Sequence, residues 1–316
     1  MAPTRIGTWN LENLFRPGGP AGPTTQAAYD AKLDALATTI TALDPDVLAV
    51  QEIGDPDALD DLAEVIAGGY DPRRTATPDG RGIRVGFLSR LPLLDPVEIR
   101  DFPTGLRPVQ VDDTAAGTTT MGRAALAAGV DVGATRVQVL TCHLKSKLLT
   151  FPGGRFSTTD EGERARYAAY ALNRRAAEAV TVRAAATELI DTHGQDVAVI
   201  VLGDLNDEAS AATTQILQGP PGSEIGTGGF TRPDRGDAER LWNLAAYIPE
   251  PDRYSRTYNG RRELIDHVLA TGRITGQLQP GSLTAGPGAT SIGDDPNTRR
   301  DAAGSDHRPV TLTVDL

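Results

Sequence analysis

The segment Val197–Asp207, VAVIVLGDLND, runs six apolar or alanine residues into a glycine and then two carboxylates around an asparagine. A continuous apolar run of that length between turn residues predicts a buried central strand. Its end carries Asp204 and Asn206, two apart and therefore on one side of an extended backbone. Burying a strand that ends in carboxylates is unfavourable unless the acids meet cations, donors or a substrate.

The same pattern recurs along the chain. Residues 4–9 form a short strand that stops at Asn10. Tyr29, Leu33, Leu36, Ile40 and Leu43 fall on one face of a helix over 26–43, which ends at Asp44-Pro45 because the residue before proline is pushed out of the helical region. Val47–Val50 is a buried strand ending in Gln51-Glu52, followed by a helix over roughly 56–67 that closes at Gly68-Gly69. Residues 82–90 read as a strand, and the Pro/Gly/Thr-rich segment from 91 to about 120 shows little periodicity. Residues 121–131 and 135–143 predict a hairpin around Gly133-Ala134 that ends at His143. A long helix follows over about 159–191, with Ser157, Thr158 or Thr159 as its cap and Asp160 and Glu161 at the positive end of its dipole. Strands near 254–258 and 263–270, the second carrying Asp266, and a last strand after Ser305-Asp306-His307 complete the set. Segments 218–237 and 271–305 read as Gly/Pro-rich loops. Helix, DPDVLAV and Glu52 in the first half echo helix, GQDVAVIVL and Asp204 in the second. No composition break separates the halves, so one domain over 1–316 is expected, built of two similar layers.

Composition narrows the picture. With 316 residues and 39% hydrophobic content the chain is long enough for a substantial core. A net charge of −11 does not predict tight, sequence-independent coating of long nucleic acid. The single cysteine, Cys142, excludes an intramolecular disulfide and a thiolate zinc cluster, and sits in an apolar run as a small core residue. Arg5–Trp9 already reads as a strand with no apolar leader before it, and no stretch approaches a transmembrane span, so a cytoplasmic protein without membrane association is expected. No obligate protein partner is evident.

Polar groups therefore stand where apolar periodicity stops: Asn10, Glu52, His143, Asp204 with Asn206, Asp266, and Asp306 with His307. Each has an ordinary account by itself, as a turn residue, a surface acid or a satisfied core histidine. Together they imply a shared purpose. Oxygen ligands without thiolates suit a hard cation, Mg²⁺ or Mn²⁺, and histidine with aspartate suits acid–base work near neutral pH. No G-x-S-x-G, phosphate-binding loop or dinucleotide fingerprint is present. Metal-assisted attack of water on a phosphate ester uses this set.

TWNLENLF, LAVQEI, TCHLKS, LGDLND, LIDHVL and SDHRPV occur in that order. They resemble the motif set of the endonuclease/exonuclease/phosphatase superfamily, the DNase I-like fold, from Asn10 to Pro309. The resemblance implies a four-layer α/β/β/α sandwich, two mixed sheets packed face to face with helices outside and the site at one sheet edge. It implies that Glu52, supported by Asn10 and Asp306, binds the catalytic Mg²⁺. His307, oriented by Asp266, would act at the scissile phosphate as base or as charged stabiliser. Asp204 would orient or deprotonate water or protonate the leaving oxygen. Asn206 would position the phosphate, and His143 would donate to a non-bridging oxygen.

Accessory residues are open. Lys145 and Lys147 follow His143 and either contact phosphate or are solvated; Arg123 could line an approach surface, and Tyr167 could contact phosphate. Arg164, Arg166, Arg174 and Arg175 could line the same approach surface, but are expected instead to pair with Asp160, Glu161, Glu163 and Glu178 at turn spacing. His193 reads as an exposed imidazole at a helix end, and His267, beside Asp266, as a structural residue on the opposite sheet face. A metal-dependent phosphoesterase is the leading expectation, with DNA as its first substrate. The alternative is a small-molecule or lipid-headgroup phosphodiesterase or phosphatase, favoured by the acidic charge and 5% aromatic content. A binding module without activity would be signalled by a lost acid or histidine, and none is lost.

Overall fold

The computed structural model describes residues 3–114, 116–219, 221–232, 237–286 and 299–316. Of the loops expected at 218–237 and 271–305, residues 220, 233–236 and 287–298 lie outside the described residues. The first half contains β1 (Thr4–Leu14), α1 (Gln26–Leu43), β2 (Val47–Ile53), α2 (Pro56–Val65), β3 (Asp71–Arg74), β4 (Arg84–Ser89) and β5 (Leu94–Asp101). Two short strands, β6 (Val109–Gln110) and β7 (Gly117–Thr118), lead to β8 (Thr120–Val132) and β9 (Thr135–His143). After α3 (Glu161–Ile190) come β10 (Ala198–Asp204), α4 (Ala212–Leu217), β11 (Trp242–Asn243), β12 (Arg256–Tyr258) and β13 (Arg261–Glu263). The chain closes with β14 (Asp266–Ala270), α5 (Gly272–Thr275), β15 (Leu283–Ala285) and β16 (Val310–Val314).

Two six-stranded sheets result, in the orders β15-β16-β1-β2-β4-β3 and β11-β14-β10-β9-β8-β5. Each has one parallel pair, β1 with β2 and β9 with β10, and antiparallel neighbours elsewhere. A helix joins each parallel pair, α1 in one sheet and α3 in the other, as a crossover requires. This is the physical content of the internal echo.

Three apolar clusters define four layers. Val47 and Ala49 of β2 and Ala198, Ile200 and Leu202 of β10 meet between the sheets. Leu48 and Val50, one residue out of phase, pack outward on Leu33, Leu36, Ile40, Leu59 and Leu62 of the first two helices. Val199 and Val201 likewise pack on Ala179, Val182, Ala186 and Ile190 of α3. Strand alternation sends one set inward and the other to the helices, so both faces of the central strands are buried and read as continuous apolar runs. The expected α/β/β/α sandwich is the observed architecture. Among the described residues no helix is long and apolar enough to cross a membrane.

Several boundaries differ from expectation: α5 and β15 lie inside the segment 271–305 expected to be a loop, and the strand expected over 263–270 is split between β13 and β14. β5 lies inside the segment expected to be irregular, pairing with β8 through two register irregularities. Its residues are mostly exposed and include Pro96, as suits an edge strand. β1 runs past Asn10 to Leu14 through a register shift against β2. The cap of α3 is Asp160, whose side chain accepts from the Gly162 and Glu163 amides.

The end of β10 is tied to α3. Arg175 Nε donates to Asp207 Oδ2 at 3.1 Å and Arg175 Nη1 to the Lys145 carbonyl at 3.0 Å. Thr213 Oγ1 and Lys147 Nζ complete the Asp207 shell at 2.7 and 3.2 Å. Burial alone would raise the Asp207 pKa, but the Thr213 hydrogen bond and the Arg175 and Lys147 charges bring it below the ordinary carboxylate value. A depressed carboxylate contributes stability above its unfolded pKa of about 3.9, lost as pH falls through the folded value. Asp207→Asn is therefore expected to lower stability at pH 7, with the gap to wild type narrowing below pH 4. Urea unfolding at both pH values measures it.

Candidate active site

The register of the second sheet aligns three polar residues. Asp204 lies opposite His143 on β9 and opposite Asp266 on β14. The preceding residue must be small: Gly203 has φ +148°, and a Cβ there would stand 2.0 Å from the Cys142 carbonyl oxygen. Asn10 and Glu52 arrive from the first sheet, where β1 and β2 carry irregularities at their ends. Glu12, Asn13, Glu52 and Asn206 all adopt φ between 51° and 62°. Such backbone is uncommon for residues with a Cβ and clusters where geometry is imposed by the surrounding fold.

These elements form one connected buried site. Asn10 Nδ2 donates to Asp204 Oδ2 at 3.0 Å and to Glu52 Oε1 at 3.3 Å, joining the two sheets. His143 Nε2 lies 3.3 Å from Asp204 Oδ2 and 4.0 Å from Glu52 Oε1. The Asn13 amide holds Glu52 Oε2 at 2.9 Å, and the Asn206 amide holds Asp204 Oδ1 at 2.8 Å. His307 Nδ1 and Asp266 Oδ2 are 2.6 Å apart. The Trp9 indole donates to the His307 carbonyl at 2.9 Å, and Ser305 Oγ donates to the Asn10 carbonyl at 2.6 Å while accepting from the His307 amide at 3.0 Å. These bonds fix the last segment of the chain against β1.

The charges are differentiated by environment. Burial raises Asp204 to about 7, helped by the Asp266 charge and opposed by His307 and by the bonds from Asn10 and Asn206. Burial would lower His307, but the charges of Asp266 and Asp306 and the Asp266 hydrogen bond lift it to about 10. His143 is held well below the usual imidazole value by burial and by the charges of Arg123 and His307. At neutral pH the site thus contains an imidazolium, a neutral imidazole and a carboxylate near its titration point.

Asp204, Asp266 and His307 each offer a ligand atom, all within 4.8 Å of one another, and this group could hold a metal ion. Asp266 Oδ1 is buried without a hydrogen-bond partner. Oxygen-rich donors without sulfur suit a hard divalent cation. The protonated His307 imidazole is a poor ligand, which favours the carboxylates as donors. The residues present therefore fit such an ion.

A second buried network backs the site. Asp306 Oδ2 accepts from Arg256 Nε at 3.1 Å and pairs with Arg299. Arg299 Nε reaches Glu12 Oε1 at 2.7 Å, and the Asp306 amide donates to Glu12 Oε2 at 2.9 Å. Lys32 Nζ is buried beneath it on the Gly304 carbonyl at 2.7 Å. Burial and the Asp306 charge raise Glu12 to about 7. Asp306 is lowered: burial opposes this, but the charges of His307, Arg256 and Arg299 prevail.

The sequence model of the endonuclease/exonuclease/phosphatase family matches residues 7–307. The chain belongs to this family. No curated protein matches it. Solved structures share the fold. TDP2 from Caenorhabditis elegans is 15% identical over 99% of this chain and 74% of that one, with a TM-score of 0.56. A functionally unknown conserved protein from Enterococcus faecalis is 14% identical over 99% and 100%, at 0.56. The mannosyl-6-phosphatase of Bacteroides thetaiotaomicron is 13% identical over 99% and 100%, at 0.56. At such identities the likeness speaks to fold, while family membership makes the chain a hydrolase of phosphate esters.

Within the family frame, Asn10, Glu52, His143, Asp204, Asp266 and His307 are brought together by the contacts above, and Asp306 Oδ1 lies 3.7 Å from His307 Nε2 while its Oδ2 is taken up by Arg256 and Arg299. Asn206 joins them through its amide, while its Nδ2 donates to the Leu144 carbonyl at 3.0 Å. The accessory residues diverge. Arg123 Nη2 pairs with Asp79 Oδ2 at 3.1 Å, leaving Nη1 buried and unpartnered. Lys145 Nζ bonds the Leu148 carbonyl at 2.7 Å, and Lys147 pairs with Asp207. Tyr167 packs between Phe151 and Tyr170 at centroid distances of 5.0 and 5.4 Å. His267 is buried, its Nε2 on the Asp207 carbonyl at 2.9 Å and Nδ1 on Asn243 at 3.0 Å, and His193 is exposed; both have the structural settings expected of them. Sequence reasoning missed Glu12, Arg256 and Arg299. Only Glu12 left a trace, two residues after Asn10 on the same strand.

Proposed function

We propose that the chain hydrolyses a phosphate ester by metal-assisted attack of water, with Mg²⁺ or Mn²⁺ as the cation. The observation that carries this reading is the register that sets Asp204 between His143 and Asp266, with Asn10 bridging it to Glu52. The Asp204 and Asp266 carboxylates or, as the family resemblance implies, Glu52 supported by Asn10 and Asp306 would hold the cation, which when bound supplies Lewis acidity toward a phosphate oxygen. Asp204 orients water or takes its proton. His143 donates from Nε2 to a non-bridging oxygen. His307, charged and held by Asp266, stabilises the negative charge of the transition state, and Asn206 fixes the strand end beside the phosphate.

Sequence reasoning puts DNA first among substrates. The pairing of the α3 arginines favours a small phosphate ester instead. Arg164 pairs with Glu161, Arg166 with Asp113, Arg174 with Glu178 and Arg175 with Asp207. Those charges are neutralised locally, and the whole chain is acidic, so a long polyanion gains little from them. Supercoiled plasmid, linear duplex and small phosphate esters incubated side by side with Mg²⁺ test this. Turnover of the small esters with the plasmid intact is the expected result; nicking of the plasmid at a comparable rate restores the nuclease reading.

A further inference from the structure

The turn between β3 and β4 carries an arginine that the mechanism above leaves unused. Its sequence, Pro78-Asp79-Gly80-Arg81-Gly82, folds tightly, with the Gly82 amide on the Asp79 carbonyl at 3.0 Å and Gly82 at φ +89°. Asp79 Oδ1 accepts from the amides of Arg81 and Ile83 at 2.8 and 2.9 Å. Its other oxygen holds Arg123, so one largely buried carboxylate fastens the turn to β8.

Arg81 is thereby presented at the rim of the site. Its Nη2 donates to Asn13 Oδ1 at 2.8 Å, and the Asn13 amide is the group that binds Glu52. Its charge is also felt at His143, alongside those of Arg123 and Lys145. Arg123, Arg256 and Arg299 are each paired with a carboxylate. Arg81 is exposed and enters no ion pair among the described residues. A guanidinium held in place, left uncompensated and set above a phosphate-ester site is a ready partner for anionic oxygens.

We propose that Arg81 is a specificity-determining contact that favours dianionic phosphomonoesters over monoanionic diesters, with Asp79 positioning it through the turn. This deepens the phosphoesterase reading and rests on it for the reaction. A monoester presents one more anionic oxygen than a diester, and an added fork–oxygen contact discriminates between them.

The test compares 4-nitrophenyl phosphate with bis(4-nitrophenyl) phosphate in wild type, Arg81→Ala, Arg81→Lys and Asp79→Asn. Arg81→Ala is expected to lower kcat/KM for the monoester about tenfold and for the diester about threefold or less, the scale of one charge-assisted hydrogen bond. Arg81→Lys restores part of the difference, and Asp79→Asn raises KM for the monoester with kcat little changed. Protection against thermal unfolding by inorganic phosphate, strong in wild type and weak in Arg81→Ala, reads the contact without turnover. Equal losses on both esters, or unchanged phosphate protection in Arg81→Ala, overturn the proposal. If wild type turns over neither ester, the phosphoesterase reading fails by itself, and phosphate protection still decides the role of Arg81.

Discussion

Asp204→Asn is expected to lose about 10²- to 10³-fold in kcat on a phosphate ester while keeping the fold. The side chain is buried at the end of β10 and accepts from Asn10 Nδ2 and the Asn206 amide. Asparagine has the same shape but offers one acceptor oxygen, so it can keep either bond and not both. It also removes the carboxylate raised to about 7 that faces His143 and Asp266. Circular dichroism and a melting curve close to wild type, set beside the lost turnover, separate a chemical effect from unfolding. A variant with more than a tenth of wild-type activity would remove Asp204 from the reaction.

The second large effect lies in the Asp266–His307 pair. Both side chains are buried, and the 2.6 Å contact fixes which ring nitrogen faces the carboxylate. Asp266→Asn leaves His307 without the charge that lifts its pKa to about 10. Burial, which favours the neutral ring, is then opposed only by the Asp306 and Asp204 charges, so the imidazole loses its proton at lower pH than in wild type. Turnover should fall by roughly 10²-fold. Stability should fall by up to about 3 kcal/mol, the scale of breaking a buried pair. The sign follows from the raised pKa. The contribution of the pair is complete below the unfolded value near 6.5 and disappears as pH rises through about 10. Wild type and variant should therefore differ most in urea unfolding below pH 6.5 and converge in alkali, while the His307 ring resonances of the metal-free protein titrate lower in the variant.

Much of this site is legible in the chain itself because buried central strands are written as unbroken apolar runs. Where such a run stops at a carboxylate or a histidine, the change of chemistry is visible without coordinates, as at His143 and Asp204. The sheet register then does what a linear reading cannot, placing Asp204 between His143 and Asp266. Glu12 and Arg299 meet across most of the chain, and no local pattern announces a contact of that kind. The irregular end of β1 turns on backbone angles at Glu12 and Asn13 that residue type does not dictate. β5 escaped because an exposed edge strand has no buried face to impose alternation. On α3 the pairs Arg164–Glu161 and Arg174–Glu178 follow from turn spacing. Arg166 and Arg175 reach Asp113 and Asp207 on other segments, which spacing cannot show.

The convergence of the two sheet ends into one hydrolytic centre is tested most directly by turnover of 4-nitrophenyl phosphate and bis(4-nitrophenyl) phosphate, the better of the two being decisive, with Mg²⁺, with Mn²⁺ and with EDTA, against Asp204→Asn. Hydrolysis that requires the divalent ion, vanishes in EDTA and is nearly absent from the variant is the predicted result. Wild-type hydrolysis no faster than the variant with either metal, from protein that is folded, would contradict it.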